Sequence, residues 1–329
     1  MVSTGSTTGR RHTAASVTDL VQRAREGEAR AVARLISLVE DASPLLREVM
    51  AGLAPYTGNA QIVGITGSPG VGKSTSTAAM VKALRTVDKR VGVLAVDPSS
   101  PFSGGALLGD RVRMQEHATD RDVYIRSMAS RGHLGGLSWS APQALRVLDA
   151  AGCDVVLVET VGVGQSEVEI ASLADTTLVL LAPGMGDGIQ AAKAGILEIG
   201  DVYVVNKADR DGADQVRRDL RNMIALAERG EGSWKPPIVQ TVAQTEQGID
   251  EVVEKVEAHR QWLVSSGELG RRRVRRARNE IEAIAVTALR ERWGDVHDRS
   301  ELDDLAEQVV DGRSDPYRAA DQLLETYTE

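Results

Sequence analysis

The residues best suited to chemistry form one glycine-rich stretch, GSPGVGKS at positions 67–74, preceded by the apolar run 62–65. A glycine, four residues and then Gly-Lys-Ser is the P-loop pattern, in which backbone N–H groups and a helix N-terminus bind phosphate. We expect the Lys73 ammonium at the β- and γ-phosphates and the Ser74 hydroxyl, a hard-oxygen ligand, on Mg²⁺. The predicted nucleotide-binding residues here are Gly67, Ser68, Pro69, Gly70, Val71, Gly72, Lys73, Ser74 and Thr75.

Carboxylates follow the P-loop at the ends of apolar runs. Asp97 and Glu159 each close such a run, and Asp110 lies in the Gly-rich loop after Asp97. Any one of them alone could simply cap a turn. Three carboxylates behind one P-loop favour a Mg²⁺ shell that they form together with Ser74. We further expect Gly162 to let a backbone N–H approach a γ-phosphate.

A second motif, Asn206-Lys207-Ala208-Asp209, follows another apolar run and is typical of guanine selection. The Asp209 carboxylate can accept hydrogen bonds from guanine N1–H and the 2-amino group together. Adenine would leave it unpaired, at a cost of about 1–3 kcal/mol. We expect Lys207 to cover one face of the base and Asn206 to tie this loop to the P-loop. Backbone groups of one further segment are predicted to touch the base: Thr241, Val242 and Ala243.

The elements that must position these residues are short apolar runs alternating with helical segments. Continuously apolar runs suit strands buried on both faces, and intervening helices suit a parallel sheet. The predicted fold class is α/β: a mostly parallel P-loop GTPase sheet flanked by helices. In such sheets, ligands bind beyond the carboxyl ends of the strands. The predicted strands are 61–66, 91–96, 123–127, 154–159, 176–182, 202–206 and 238–242.

Changes in pattern along the chain predict four parts. Residues 1–15 are expected to be a disordered tail, with a short transit peptide as the alternative. Residues 16–55 are expected to be an N-terminal helical segment in which Ser43-Pro44 begins a helix. Residues 56–265 are expected to form the P-loop GTPase domain, and residues 266–329 a C-terminal helical dimerisation arm.

Composition excludes several function classes. The 329 residues carry a net charge of −8, which disfavours a general nucleic-acid binder. The one cysteine, Cys153, precedes an apolar run and is expected to be a small buried residue; a single cysteine forms no internal disulfide and no cysteine metal cluster. No apolar segment approaches the roughly 20 residues that span a bilayer. We therefore expect a cytoplasmic protein with no nucleic-acid or membrane partner.

Six arginines near the start of the arm have two interpretations. A polybasic segment would suit nucleic acid or an acidic surface, whereas a solvated, salt-bridged helix fits the acidic chain better. An apolar stripe follows on the same segment, and a helical arm has little else in one chain to bury it against. We therefore predict a homodimer. The arginines are Arg271, Arg272, Arg273, Arg275, Arg276 and Arg278.

Together these motifs resemble the MeaB/ArgK family, the GTPases associated with adenosylcobalamin-dependent methylmalonyl-CoA mutase. The resemblance begins near residue 16 and covers nearly all of the remaining chain. As in related signal-recognition and metal-insertion GTPases, Glu159 replaces the usual Asp of the Asp-x-x-Gly switch. The motifs are GSPGVGKS at 67–74, VDPSSPFSGGALLGDRVRM at 96–114, ETVGVGQSE at 159–167, PGMGDGIQAAKAG at 183–195 and NKAD at 206–209.

The resemblance implies a role for each matching residue. Lys73 and Ser74 would lie at the phosphates and Mg²⁺. The residues at guanine would be Asn206, Lys207 and Asp209. A segment near 184–195, containing Lys193, would respond to nucleotide and contact the mutase; the chain departs from the family there at Gly188, where an acidic residue is expected. The metal and switch shell would consist of Asp97, Asp110 and Glu159.

The function implied is that of a GTP-hydrolysing chaperone, which couples GTP binding and hydrolysis to loading of adenosylcobalamin and to protection or reactivation of the mutase. Val163 occupies the position where many GTPases place a water-orienting Gln. We therefore expect slow hydrolysis that the mutase accelerates, with Gln165 a candidate to orient the water. The expected catalytic residues are Lys73, Asp97, Glu159, Gln165 and Lys193.

Three alternatives remain open. The first is a P-loop kinase that phosphorylates a transport protein, which would prefer ATP. The second is a metal-insertion GTPase, which would need Cys or His clusters that this sequence does not show. The third is a nucleotide-gated scaffold without meaningful hydrolysis.

Overall fold

The protein is built on a seven-stranded parallel sheet in the order β3-β2-β4-β1-β5-β6-β7. The computed structural model describes residues 14–98, 117, 119–130, 140–160, 166–184, 198–226, 230, 232–293 and 300–325. The strands are β1 (Gln61–Thr66), β2 (Val91–Pro98), β3 (Val123–Ser130), β4 (Val155–Thr160), β5 (Thr176–Leu181), β6 (Val202–Asn206) and β7 (Ile238–Thr241). Every neighbouring pair is parallel, which confirms the predicted α/β fold and all seven predicted strands, with small differences at their ends.

Helices flank the sheet on both faces, as parallel strands require of their crossover connections. Short 3₁₀ turns, among them Ala54–Tyr56 and Ala243–Thr245, accompany them. The helices of the described residues are α1 (Ala14–Arg25), α2 (Ala29–Glu40), α3 (Leu46–Leu53), α4 (Lys73–Thr86), α5 (Ala141–Ala150), α6 (Ser166–Leu173), α7 (Ala213–Leu226), α8 (Ile249–Ser265), α9 (Glu268–Trp293), α10 (Ser300–Val310) and α11 (Pro316–Glu325).

The strands are apolar along their whole length because both of their faces are buried. Successive side chains of a strand point to opposite faces. Ile62 of β1 accordingly joins a core shared with α1, α2, α3 and α5, whereas Val63 joins one shared with α4 and α8. Cys153 is buried, as predicted, and burial raises the pKa of its thiol to about 12.

The N-terminal helices pack against α5 and the edge of the sheet at β3. The Tyr124 hydroxyl donates to the Gly27 carbonyl at 3.2 Å, and the Arg126 guanidinium pairs with Glu40. One prediction was wrong here: Ser43-Pro44 does not begin α3, which starts two residues later. Instead the Ser43 hydroxyl accepts a hydrogen bond from the Leu45 N–H at 3.3 Å, in the turn before the helix.

The chain divides into two compact units, Met1–Arg273 and Val274–Glu329, with the boundary inside α9. Within the second unit α10 and α11 pack together and bury Ala319. Large apolar side chains remain exposed in this unit: Val274, Ile281, Ile284, Val286, Leu289, Val310, Tyr317 and Leu324. None of the helices in the described ranges is both long enough and apolar enough to cross a bilayer.

Candidate nucleotide site

Strand β1 leads directly into the P-loop. It is buried along its whole length between β4 and β5, and α4 begins at Lys73 after the turn 67–72. Gly67 and Gly72 have φ angles of 140° and 100°, a region that favours glycine. A Cβ at Gly67 would collide with the Leu180 carbonyl, and one at Gly72 with the Asn206 amide. The loop therefore requires glycine at both positions, for conformation and for space.

Lys73 folds back over the loop that precedes it. Its ammonium donates to the Gly67 carbonyl at 2.5 Å and to the Ser68 carbonyl at 3.3 Å, and the residue is buried. A lysine in this position places a positive charge beside the backbone N–H groups at the start of α4. The combination favours an anion such as a polyphosphate.

Ser74 and Glu159 bring two hard-oxygen groups together. The Ser74 hydroxyl donates to the Glu159 carboxylate at 2.5 Å, and both residues are buried. Glu159 lies in β4 and pairs in register with Ile65 of β1 and Ala95 of β2, so the sheet fixes its distance from the P-loop. Hydroxyl and carboxylate oxygens are the ligands that Mg²⁺ prefers, so this pair fits a magnesium ion.

Asn206, at the end of β6, links the three loops of the site. Its amide donates to the Val71 carbonyl at 2.9 Å, which is the predicted tie to the P-loop. Its side-chain oxygen accepts from the Thr241 hydroxyl and from the Ala243 N–H, both at 3.1 Å. Asn206 is only 2% exposed, so these bonds form away from water. Both ends of the amide are therefore engaged, and its orientation is fixed.

The next residues of the motif lie on the open side of the site. Lys207 has φ 57°, and its ammonium donates to the Gly70 carbonyl at 2.7 Å. The Ala208 N–H donates to the Thr241 carbonyl at 3.0 Å, which holds the two loops side by side. Asp209 is exposed, where a ligand can reach its carboxylate.

The remaining predicted residues differ in their surroundings. Thr75, Pro69 and Gly70 are exposed at the rim of the loop. The Val242 N–H donates to the Gln247 carbonyl and the Ala243 N–H to the Asn206 side chain, so these two N–H groups are used within the protein. That backbone groups of this segment touch the base stays a prediction.

Several predicted residues lie outside what the structure describes. Asp97 belongs to the backbone of β2, where it pairs in register with Ala129, but its side chain is not among the described ones. Asp110, Gln165, Gly188 and Lys193 lie outside the described residues. Among the residues that are described, no group of three or more His, Cys, Asp or Glu side chains is placed to hold a metal ion.

Sequence reasoning missed a charged network at the opposite end of the strands. Arg272 pairs with Asp201 at 2.8 Å and Arg273 with Asp175 at 3.1 Å; both carboxylates are buried. The run lies on a helix and forms salt bridges, as expected, but the expectation that it is solvated is wrong for these two residues, because their guanidinium groups neutralise buried carboxylates of the sheet. The only sign of this network in the sequence was an aspartate directly before each of two apolar runs, Asp175 and Asp201.

His259 belongs to this network. It is fully buried between Trp234 and Trp262, with ring centroids at 4.8 and 5.7 Å. Its Nδ1 lies 3.0 Å from the Thr176 hydroxyl and its Nε2 lies 3.4 Å from the Asp201 carboxylate. Burial lowers the pKa of His259 to about 4, against the opposing effect of Asp201, so the ring is neutral at pH 7.

The geometry thus joins a phosphate loop, a fitting Mg²⁺ ligand pair and an exposed carboxylate beyond the end of β6. All lie at the carboxyl ends of parallel strands, where ligands bind in such sheets.

Comparison with known proteins agrees with this geometry. The model of the family described as "Methylmalonyl Co-A mutase-associated GTPase MeaB" matches residues 32–297. A predicted GTPase of Pyrococcus abyssi is 47% identical over 310 residues, which are 94% of this chain and 96% of that one. The GTPase ArgK of Escherichia coli is 38% identical over 262 residues, 78% of this chain and 79% of that protein.

Among solved structures, the crystal structure of a LAO/AO transport system kinase is similar, with a TM-score of 0.75 and 27% identity. The match covers 97% of this chain and all of that one. The family match spans most of the chain and includes the P-loop, Glu159 and the 206–209 motif. The protein is a GTPase that binds guanine nucleotide, and it belongs to the MeaB family of methylmalonyl-CoA mutase-associated GTPases.

Proposed function

We propose that this GTPase is a chaperone of adenosylcobalamin-dependent methylmalonyl-CoA mutase, coupling GTP binding and hydrolysis to cofactor loading and to protection or reactivation of the mutase. The observation that carries the proposal is the match of residues 32–297 to a family described as associated with that mutase. The proposed compartment is the cytoplasm, and the proposed assembly is a homodimer formed by residues 266–329. The exposed apolar side chains of α9 support this dimer.

In the proposed reaction, the chain's own residues act mainly by positioning and charge neutralisation. Lys73 would exchange its hydrogen bonds to the Gly67 and Ser68 carbonyls for phosphate oxygens. Ser74 and Glu159 would hold Mg²⁺, together with Asp97 and Asp110. A bound Mg²⁺ would supply neutralisation of the charge that develops on the phosphate oxygens.

At the other end of the nucleotide, Asp209 would accept hydrogen bonds from guanine. Asn206 would keep the base loop and the P-loop in register through its bond to Val71. Gln165 would orient the attacking water, and Lys193 would belong to the segment that responds to nucleotide. Hydrolysis would be slow alone and stimulated by the mutase, because Val163 stands where many GTPases have a glutamine that orients the water.

The test is phosphate release from GTP by the full chain, alone and with methylmalonyl-CoA mutase, with ATP as the competing substrate. The proposal predicts GTP-selective hydrolysis that rises severalfold with the mutase. The matched control is Ser74→Ala, which should remove the stimulated rate and thereby assign it to this chain rather than to a contaminant. Unchanged hydrolysis in the presence of the mutase would contradict the chaperone role and leave the GTPase without this partner.

The name of the similar solved structure favours one second candidate, a kinase acting on a transport protein. That reaction would need an acceptor protein and would yield a stable phosphoprotein. The motif at 206–209 disfavours it, because the exposed Asp209 suits guanine better than adenine. Transfer of labelled phosphate from ATP to a protein acceptor, without preference for GTP, would support the kinase instead.

A further inference from the structure

Two neighbouring arginines anchor the beginning of α9 to the base of the sheet, and we call them the arginine clamp. Arg272 binds both carboxylate oxygens of Asp201, at 2.8 and 2.9 Å, and the Asp175 carbonyl at 2.9 Å. Arg273 binds the Asp175 carboxylate at 3.1 Å, the Ala60 carbonyl at 2.9 Å and the Gly58 carbonyl. Such two-pronged contacts fix the guanidinium groups in one geometry.

The clamp contacts the residues immediately before three adjacent strands. Asp201 directly precedes β6, Asp175 directly precedes β5, and Ala60 directly precedes β1. The same carboxylates also bind the backbone across the sheet. Asp201 accepts from the Thr177 N–H at 2.9 Å, and Asp175 accepts from the Ile62 N–H at 3.1 Å. The clamp is therefore part of the hydrogen-bonded base of these strands.

The opposite ends of the same three strands all meet the P-loop. Strand β1 continues into Gly67, and the Leu180 carbonyl of β5 lies against Gly67 so closely that no Cβ would fit. Strand β6 ends at Asn206, whose amide binds the Val71 carbonyl. Each strand is buried throughout its length. Each is only about 16–20 Å long, at roughly 3.3 Å per residue.

We propose that the arginine clamp couples the beginning of α9 to guanine-nucleotide binding. With the clamp closed, β5 and β6 are fixed where Leu180 and Asn206 hold the P-loop in its binding conformation. With the clamp open, the two strands can shift and the P-loop loses these supports. By thermodynamic linkage, nucleotide binding must then tighten the clamp to the same extent. This proposal uses only guanine-nucleotide binding and does not depend on the mutase.

The coupling gives α9 a functional role. The helix continues beyond the clamp to Trp293. Arg271, one position earlier, provides an internal comparison. It is more exposed and pairs with Glu268 and the Ser266 carbonyl, both close by in sequence.

The test compares Arg272→Gln with the matched control Arg271→Gln in the full chain, measuring the affinity for a fluorescent GDP analogue. We expect R272Q to weaken binding about fivefold or more, in the usual range of such couplings, and R271Q to bind within about twofold of wild type. Asp201→Asn should weaken binding similarly, and the double variant no further, because both changes open the same contact. If R272Q lowers the thermal stability but binds GDP as wild type does, the clamp is only structural and the proposal fails.

A second measurement needs no variant, in case R272Q does not fold. Amide exchange is followed in the wild type with and without GDP at Ile62 and Thr177, whose N–H groups donate to the clamp carboxylates. The reference is the Arg90 N–H, which donates to Asp154 at 2.8 Å at the base of neighbouring strands outside the clamp. The proposal predicts that GDP slows exchange at Ile62 and Thr177 more than at Arg90. Equal slowing at all three amides would overturn it.

Discussion

The side-chain amide of Asn206 donates a hydrogen bond of 2.9 Å to the carbonyl of Val71, a residue 135 positions earlier in the chain. Together with the Lys207 ammonium, which donates to the Gly70 carbonyl, this contact attaches the loop expected to bind the base to the loop expected to bind the phosphates. The buried one of these two contacts, the Asn206 amide at the end of β6, therefore helps to set the spacing between the two halves of the nucleotide site.

Replacing Asn206 with alanine should weaken the link between the two loops, although Lys207 still contacts Gly70. The Val71 carbonyl, the Thr241 hydroxyl and the Ala243 N–H would each lose a buried partner. One such loss costs about 1–3 kcal/mol, so we expect guanine-nucleotide affinity to fall at least tenfold. Equilibrium titration with a fluorescent GDP analogue measures this affinity. The control is Gln240→Ala in β7, whose side chain contacts Arg217 and Asp214 instead; equal losses in the two variants would refute the role of Asn206.

Replacing Ser74 with alanine should weaken the use of Mg²⁺. The hydroxyl that lies 2.5 Å from Glu159 would be lost, and with it one hard-oxygen ligand. We expect the Mg²⁺ concentration for half-maximal GTP hydrolysis to rise about tenfold or more, as for other losses at a metal site. The control, Ser76→Ala, removes a buried hydroxyl of the same helix that has no hydrogen-bond partner among the described residues. An unchanged Mg²⁺ requirement in S74A would remove Ser74 from the metal site.

His259 should make the folded protein less stable in mild acid. Burial lowers its pKa to about 4, whereas in the unfolded chain it titrates near an ordinary value of about 6.5. As the pH falls from about 6.5 toward 4, the unfolded chain therefore takes up a proton that the folded protein does not, and stability is lost. From pH 7 to pH 5 this amounts to about 1–2 kcal/mol.

Urea unfolding of wild type and His259→Gln at both pH values isolates this contribution, because all other titrating groups are common to the two proteins. The glutamine variant should show the smaller loss of unfolding free energy between pH 7 and pH 5. The same pH dependence in both proteins would mean that His259 takes up its proton in the folded state.

Much of the fold could be predicted from the sequence because buried parallel strands are apolar on both faces. The runs at 61–66 and 202–206 are strands with those bounds, and the glycines of the P-loop mark the first strand-to-helix turn. Strand ends were less predictable: β2 runs to Pro98 rather than to 96. Strand β2 is extended because it pairs with β3 as far as Ser130. The sequence of one strand does not show how long its neighbour is.

The clamp could not be predicted for a related reason. Asp175 and Asp201 precede apolar runs just as ordinary turn residues do, and Arg272 stands among five other arginines. Arg272 and Asp201 are distinguished by their contact with each other. They lie 71 positions apart, and a local sequence pattern does not show which distant residues meet. The contact of Asn206 with the P-loop was predictable because the motif at 206–209 is recognised from its residue types and spacing.

We propose that the loops after β1 and β6 form one guanine-nucleotide site in which Asp209 selects the base. The most direct measurement is the affinity of Asp209→Asn for GTP and for xanthosine triphosphate, whose base carries an oxygen in place of the 2-amino group of guanine. An asparagine amide can donate to that oxygen and accept from N1–H, so the preference should reverse, by about tenfold or more in each direction. Asp211→Asn, two residues later and also exposed, is the control and should keep the wild-type preference for GTP. If D209N still prefers GTP as the wild type does, Asp209 does not select the base and the account of the site is wrong.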